Sequence, residues 1–194
     1  MKIVIATPHY PPNFIGGTEQ IAFRMANILR GKGHEVSVLC VESIHEPEGQ
    51  FSVRKQDEGG VQVNRLYFPA GQNNNHYPTS YRNDSLYDWL VEEFRETQPD
   101  IVHHLSGYLI TAVVLEAAYA CQTATAVTLL DYWFVCPRIT LLRANGDLCA
   151  EPVPASRCAW CMLSDKRRYR MLDDAMAGLP GKAFTPLGEN PAFL

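Results

Sequence analysis

Apolar residues fall along this chain in short dense runs, and the spacing between runs switches repeatedly between strand and helix periods. KIVIAT at 2–7 is a β-branched run of the kind that forms a fully buried parallel strand. Behind it Ile21, Ala22, Met25, Ile28 and Leu29 recur at helical spacing, with Thr18 predicted as N-cap and Gly31 and Gly33 as C-cap candidates. EVSVLCV at 35–41 is a second strand, which completes a βαβ unit. A polar stretch at 44–60 follows, and VQVNRLYF at 61–68 then alternates as a third strand leaving a hairpin or loop. Leu86, Trp89, Leu90 and Phe94 predict an amphipathic helix that ends before Pro99. DIVHHL at 100–105 is the fourth strand, a helix spans about 107–121, and TAVTLL at 125–130 is the fifth strand. Beyond residue 131 the alternation gives way to a segment bearing Cys and Pro, a helix from about 163 to 177, and a Pro/Gly-rich tail. Alternating strands and helices predict an α/β fold, a Rossmann-like doubly wound parallel sheet with a Cys-bearing irregular segment near the C-terminus.

In such a sheet ligands bind outside the carboxyl ends of the strands, so those ends are where chemistry is sought. The first strand empties into TPHYPPNFIGGTEQ at 7–20, where prolines fix the chain and Gly16 and Gly17 bring bare amides to a helix start. A tight turn is the plainer account of two adjacent glycines. His103 and His104 close the fourth strand and point to opposite faces, so one of them at most looks into a given pocket; a core histidine is the alternative for each. Asp131 directly follows the fifth strand, placed either to accept from sugar hydroxyls or to cap a turn. There is no GxGxxG and no GxxxxGK[ST], which argues against a nucleotide-dependent oxidoreductase.

Composition narrows the partners. A length of 194 residues, 46% hydrophobic and 20% charged, suits one globular domain with a sizeable core. A net charge of -4 excludes the broad basic surface of a non-specific nucleic-acid binder. The KRRYR cluster at 166–170 reads first as a solvated helix face and second as a contact for anionic lipid or phosphate. The opening apolar run is too short for a secretion signal, and LITAVVLEAAYA at 109–120 is too short to span a bilayer and carries Glu116. The expected location is cytoplasmic, with membrane association at most peripheral at the inner face. The polar loop GQNNNHYPTS at 71–80 is of a length usually tied to function or motion.

Taken in order, the short first strand, PP, GGTEQ, a helix ending in GKGHEV, then PDIVHHLSG and VTLLDYWFVCPR, resemble the N-terminal domain of GT-B fold glycosyltransferases of family 4, over residues 1 to about 165. The resemblance implies a nucleotide-sugar donor, a glycan or lipid-linked acceptor, and transfer mostly with retention. It implies that Gly16 and Gly17 line the cleft near the donor phosphate or acceptor. His103 or His104 would approach the donor sugar, and Asp131 and Arg138 would shape the acceptor side. It further implies that residues 1–194 are a single acceptor-side domain, inactive alone, whose donor-binding C-terminal domain is absent. The sequence departs from the family at Leu130, where many relatives carry histidine. The residues provide no secure catalytic base. The alternative is a non-catalytic module of the same fold that binds a glycan or another protein.

Cys136, Cys149, Cys158 and Cys161 crowd one segment, the last two as CAWC. Four thiolates match structural zinc, with CxxC offering two ligands from one tight turn, so a metal-clipped subregion at 132–165 is expected. An iron-sulfur cluster, disulfides and free thiols are the rivals. Cys40 and Cys121 read as small core residues.

Overall fold

The computed structural model describes residues 1–46, 50–69, 81–143, 146–149, 154–164, 166, 169, 171 and 179, the side chains of 45 and 46 excepted. The loop at 71–80, most of KRRYR and most of the helix expected at 163–177 lie outside the described residues. Contacts divide the chain into two compact units, Met1–Leu130 and Asp131–Leu194.

The first unit is a six-stranded sheet. Its elements run β1 (Lys2–Thr7), α1 (Gly17–Gly31), β2 (Glu35–Glu46), β3 (Ser52–Asp57), β4 (Gln62–Pro69), α2 (Asp84–Thr97), β5 (Ile101–His104), α3 (Val113–Ala120) and β6 (Ala124–Val127). The order across the sheet is β3-β4-β2-β1-β5-β6, parallel throughout except for the antiparallel pairing of β3 with β4. The expected doubly wound α/β layer is therefore present, with one antiparallel edge strand added. β1 is central and buried along five of its six residues, as its unbroken apolar run requires.

Alternate residues of each strand feed two cores. On one face Val4, Ala6, Leu39, Leu66 and Val102 pack with Leu90 and Phe94 of α2 and Val114 of α3. On the other Ile5, Val38, Cys40 and Val63 pack with Ala22 and Ala26 of α1, and Leu130 lies partly buried against that core. Leu130, where the resemblance would place a histidine, is thus a side chain used for packing.

Local chemistry sets the element ends. The N-cap of α1 is Gly16, not Thr18; Gly16 is extended and offers no side-chain cap. The helix closes at Lys32, and Gly33, with φ +85°, takes the left-handed conformation beyond it. Asn83 caps α2 by accepting from the Leu86 amide at 3.1 Å, and Gln98 ends it in the left-handed conformation ahead of Pro99. The β3-β4 hairpin turns on Gly59 and Gly60, both at positive φ, with Glu58 and Val61 exchanging backbone hydrogen bonds. The helix expected at 107–121 begins only at Val113, because Leu109 and Thr111 both sit at positive φ.

In the second unit α4 spans Ala155–Ser164, and a bridge pairs Leu142 with Leu148. Among the described residues no helix is long and apolar enough to cross a membrane.

Candidate functional site

The loop from β1 to α1 leaves the carboxyl edge of the central strand and is tied down at successive positions. The Pro8 carbonyl accepts from the Val41 amide at 2.9 Å, and His9 Nδ1 lies 2.7 Å from the Val41 carbonyl oxygen. His9 also stacks on Phe14 at 3.9 Å between ring centroids. Tyr10 is buried in the α1-side core, and burial, with Cys40 and Glu58 adding to it, pushes its hydroxyl up to about 12, so it stays protonated. Asn13 Nδ2 donates to Glu42 Oε1 at 2.5 Å.

The fixed loop delivers Gly16 and Gly17 to the first turn of α1. A Cβ at Gly16 would meet the far end of the Glu19 side chain, and one at Gly17 would meet nothing within 4 Å. Neither residue is at positive φ. Nothing in the chain's own packing therefore demands glycine at 17, and the position its Cβ would take is open.

His103 and His104 separate as the strand period requires. His103 pairs in register with Ile5 and shares the α1 side of the sheet, while His104 pairs with Ala6 and is fully buried on the α2 side. At the β6 exit, His103 Nε2 and Thr128 Oγ1 are 2.8 Å apart, and the Thr128 amide donates to the His104 carbonyl at 2.9 Å. Burial holds the His103 pKa below its ordinary 6.5, so the ring is neutral at physiological pH. Gly16, Gly17 and His103 thus share one face and one edge of the sheet; His104 does not. A separate cavity lies at the opposite, amino edge, lined by Lys2, Val4, Gln62, Asn64, Trp89 and Phe94. It lies away from the strand ends that carry the candidate residues.

Asp131 and Arg138 belong to the second unit. Asp131 Oδ1 accepts from the Trp133 amide at 2.9 Å, a side-chain turn, and Arg138 Nε donates to the Leu142 carbonyl at 2.9 Å. The four nearby cysteines are all free thiols. Burial, and then the thiols of Cys149, Cys136 and Cys161, push the Cys158 pKa up. Among the described residues, however, no three His, Cys, Asp or Glu side chains are arranged to hold a metal ion, so the expected zinc set is not assembled. CAWC is part of α4 and not the tight turn expected, so Cys158 and Cys161 are neighbours on one helix face.

Arg65 of β4 is the residue that sequence reasoning missed. Its side chain is 1% exposed, and it donates to Glu42 Oε2 at 2.7 Å, Glu58 Oε1 at 3.2 Å and Gln56 Oε1 at 2.7 Å. Its remaining reach goes to the loop, with the Pro11 carbonyl at 2.7 Å and the Tyr10 carbonyl at 3.4 Å. Burial works against the guanidinium charge, but Cys40 and the two hydrogen-bonded carboxylates outweigh it and raise the pKa.

The family model described as the glycosyl transferase 4-like domain matches residues 16–160, a span that runs from the glycine pair to Trp160, one residue short of Cys161. The chain belongs to that family. A relative named "Uncharacterized 42.6 kDa protein in cps region", from Klebsiella pneumoniae, is 28% identical over 173 residues, covering 80% of this chain and 43% of the relative. This glycosyl transferase 4-like chain therefore spans less than half of that protein's length. Among solved structures, one titled trehalose-6-phosphate from E. coli bound with UDP-2-fluoro glucose is 15% identical, at a TM-score of 0.46 over 72% of this chain and 35% of its own. An alpha,alpha-trehalose-phosphate synthase from Burkholderia xenovorans is 12% identical, also at 0.46, over 92% of this chain and 39% of its own.

Proposed function

We propose that residues 1–194 form the acceptor-side domain of a glycosyltransferase that moves a sugar, with retention, from a nucleotide-sugar donor to a glycan or lipid-linked acceptor. The observation that carries the reading is the open position at Gly17, the first residue of α1, where a Cβ would meet nothing within 4 Å, in a chain that belongs to the glycosyl transferase 4-like family. Free amides at a helix N-terminus favour a phosphate, so this loop faces the donor diphosphate. His103, neutral and on the same face and edge, serves as a hydrogen-bond partner for a sugar hydroxyl and not as a cation. Asp131 and Arg138 shape the acceptor side. A second, donor-binding domain completes the enzyme, and closure of the two excludes water before transfer; this chain alone is inactive. The Klebsiella relative's place in a cps region supports a role in polysaccharide synthesis at the cytoplasmic face.

The test is release of nucleoside diphosphate from UDP-, GDP- and ADP-hexoses by the protein at its full native length, followed by chromatography, with residues 1–194 alone as control. Release that depends on the full length supports the reading. No release and no binding across the panel would favour a non-catalytic glycan-binding module instead.

A further inference from the structure

Arg65 lies on β4, two strands away from β1, yet it is the side chain that reaches the loop's interior carbonyls. Pro8, Pro11 and Pro12 give the loop no amide donors at three positions, so its carbonyls depend on donors from elsewhere. The guanidinium has five N–H donors in a rigid fork. Here Nη1 donates to Glu42 of β2, Nη2 to Glu58 of the hairpin turn and Nε to Gln56 of β3, so each terminal nitrogen holds one carboxylate. The other interactions fall on Tyr10 and Pro11. Glu42 grips the same loop a second time through Asn13.

We propose that Arg65 is a positioning residue for substrate binding: its Glu42-anchored guanidinium fixes the Tyr10–Pro11 segment and so sets where the Gly17 amide is presented. This rests on the reading of the Gly16–Gly17 loop as the donor-phosphate element. Arg65 itself has no route to substrate, since its side chain is 1% exposed and fully committed to protein partners. Lysine at 65 would keep the charge but lose the fork, so it could hold the carboxylates or the carbonyls and not both.

The experiment compares wild type, Arg65→Lys and Glu42→Gln in the protein at full length. Hydrogen–deuterium exchange is followed in peptides covering residues 9–20, with α2 as an internal control. KM and kcat are measured with whichever nucleotide hexose of the panel turns over fastest. Arg65→Lys is expected to speed exchange in 9–20 at least tenfold without changing α2, and to raise KM about tenfold while kcat moves less than threefold; a mere loss of folded protein would lower kcat and leave KM alone. Glu42→Gln moves both quantities in the same direction by less, and decides the matter if Arg65→Lys does not fold. Unchanged loop exchange in the variants overturns the clamp. Faster exchange confined to the loop with KM unmoved, or no turnover by any panel sugar, leaves the clamp but overturns the reading of the loop as a substrate element, and the positioning role with it. Faster exchange everywhere, α2 included, reduces Arg65 to a general stabiliser.

Discussion

Replacing Gly17 with alanine separates stability from function at the loop, because the two should move in opposite directions. Gly17 is the first residue of α1, its backbone is helical, and an added Cβ would meet nothing within 4 Å. A glycine-to-alanine change at a compatible backbone position stabilises by about 0.4–1 kcal/mol, chiefly by restricting the unfolded chain. For a protein of this size or somewhat larger, that corresponds to a rise in Tm of about 1–4 °C. Thermal denaturation followed by circular dichroism measures it. In the same variant the new methyl group fills the open position beside the first turn of α1, where the proposed phosphate would approach. A tenfold or greater loss in kcat/KM for nucleoside diphosphate release is expected, equal to about 1.4 kcal/mol of lost binding in the transition state. A variant that is more stable and fully active would show that the open space holds only solvent. A variant that is less stable would show that the backbone argument itself is wrong.

Other expectations follow from single side chains. His103 has a folded pKa below its ordinary 6.5 because it is buried, so the unfolded chain takes up the proton first. Its contribution to stability is complete above about pH 6.5 and is lost as pH falls through the folded value; urea denaturation between pH 8 and 5 should show this acid slope, reduced in His103→Asn, and an NMR titration midpoint above 6.5 would contradict it. Asn83→Ala removes the side-chain cap of α2 and should cost about 1 kcal/mol in urea denaturation, while Asn83→Ser should recover most of it. Burial, only partly offset by Arg65, pushes the Cys40 thiol up to about 12, so iodoacetamide at pH 8 should leave Cys40 unmodified in the native protein and label it in urea, as read by peptide mass spectrometry. Native-state labelling at a rate typical of a free thiol would refute that packing.

The parts of the fold that were legible are those where burial and hydrophobic pattern coincide. β1 and the first part of β2 are covered on both faces, so they read as unbroken apolar runs. β3 escaped because it is an edge strand with one half-buried residue and five exposed ones, SVRKQD, whose place is set by pairing with β4 and by the Gly59–Gly60 turn. The extension of β2 to Glu46 likewise escaped, and α4 starts at Ala155, ahead of the helix expected from about 163. Of the site, the glycine pair and the opposed histidines were readable from position alone. Which histidine faces the α1 side was not, because that depends on the register of β5 against β1.

Arg65 was illegible for a more instructive reason. A charged residue within a strand reads first as a solvated position, yet Arg65, two residues past Val63, falls on the face of β4 that Val61 and Val63 bury. What makes that burial tolerable is mostly distant in sequence: Glu42 lies 23 residues upstream and the Tyr10 and Pro11 carbonyls 55 and 54 residues upstream, with only Glu58 and Gln56 on the adjoining hairpin. A buried guanidinium is costly to desolvate and is tolerated where every donor has a partner. The proline-rich loop, whose carbonyls lack donors of their own, supplies part of that partner set, and the two carboxylates supply the compensating charge. The loop and the arginine therefore need each other: prolines narrow the loop's conformations, and the guanidinium selects among those that remain. The shape presented at Gly16 and Gly17 is in this sense a property of the sheet's interior, and a loop peptide with the same sequence but without β4 would not hold it.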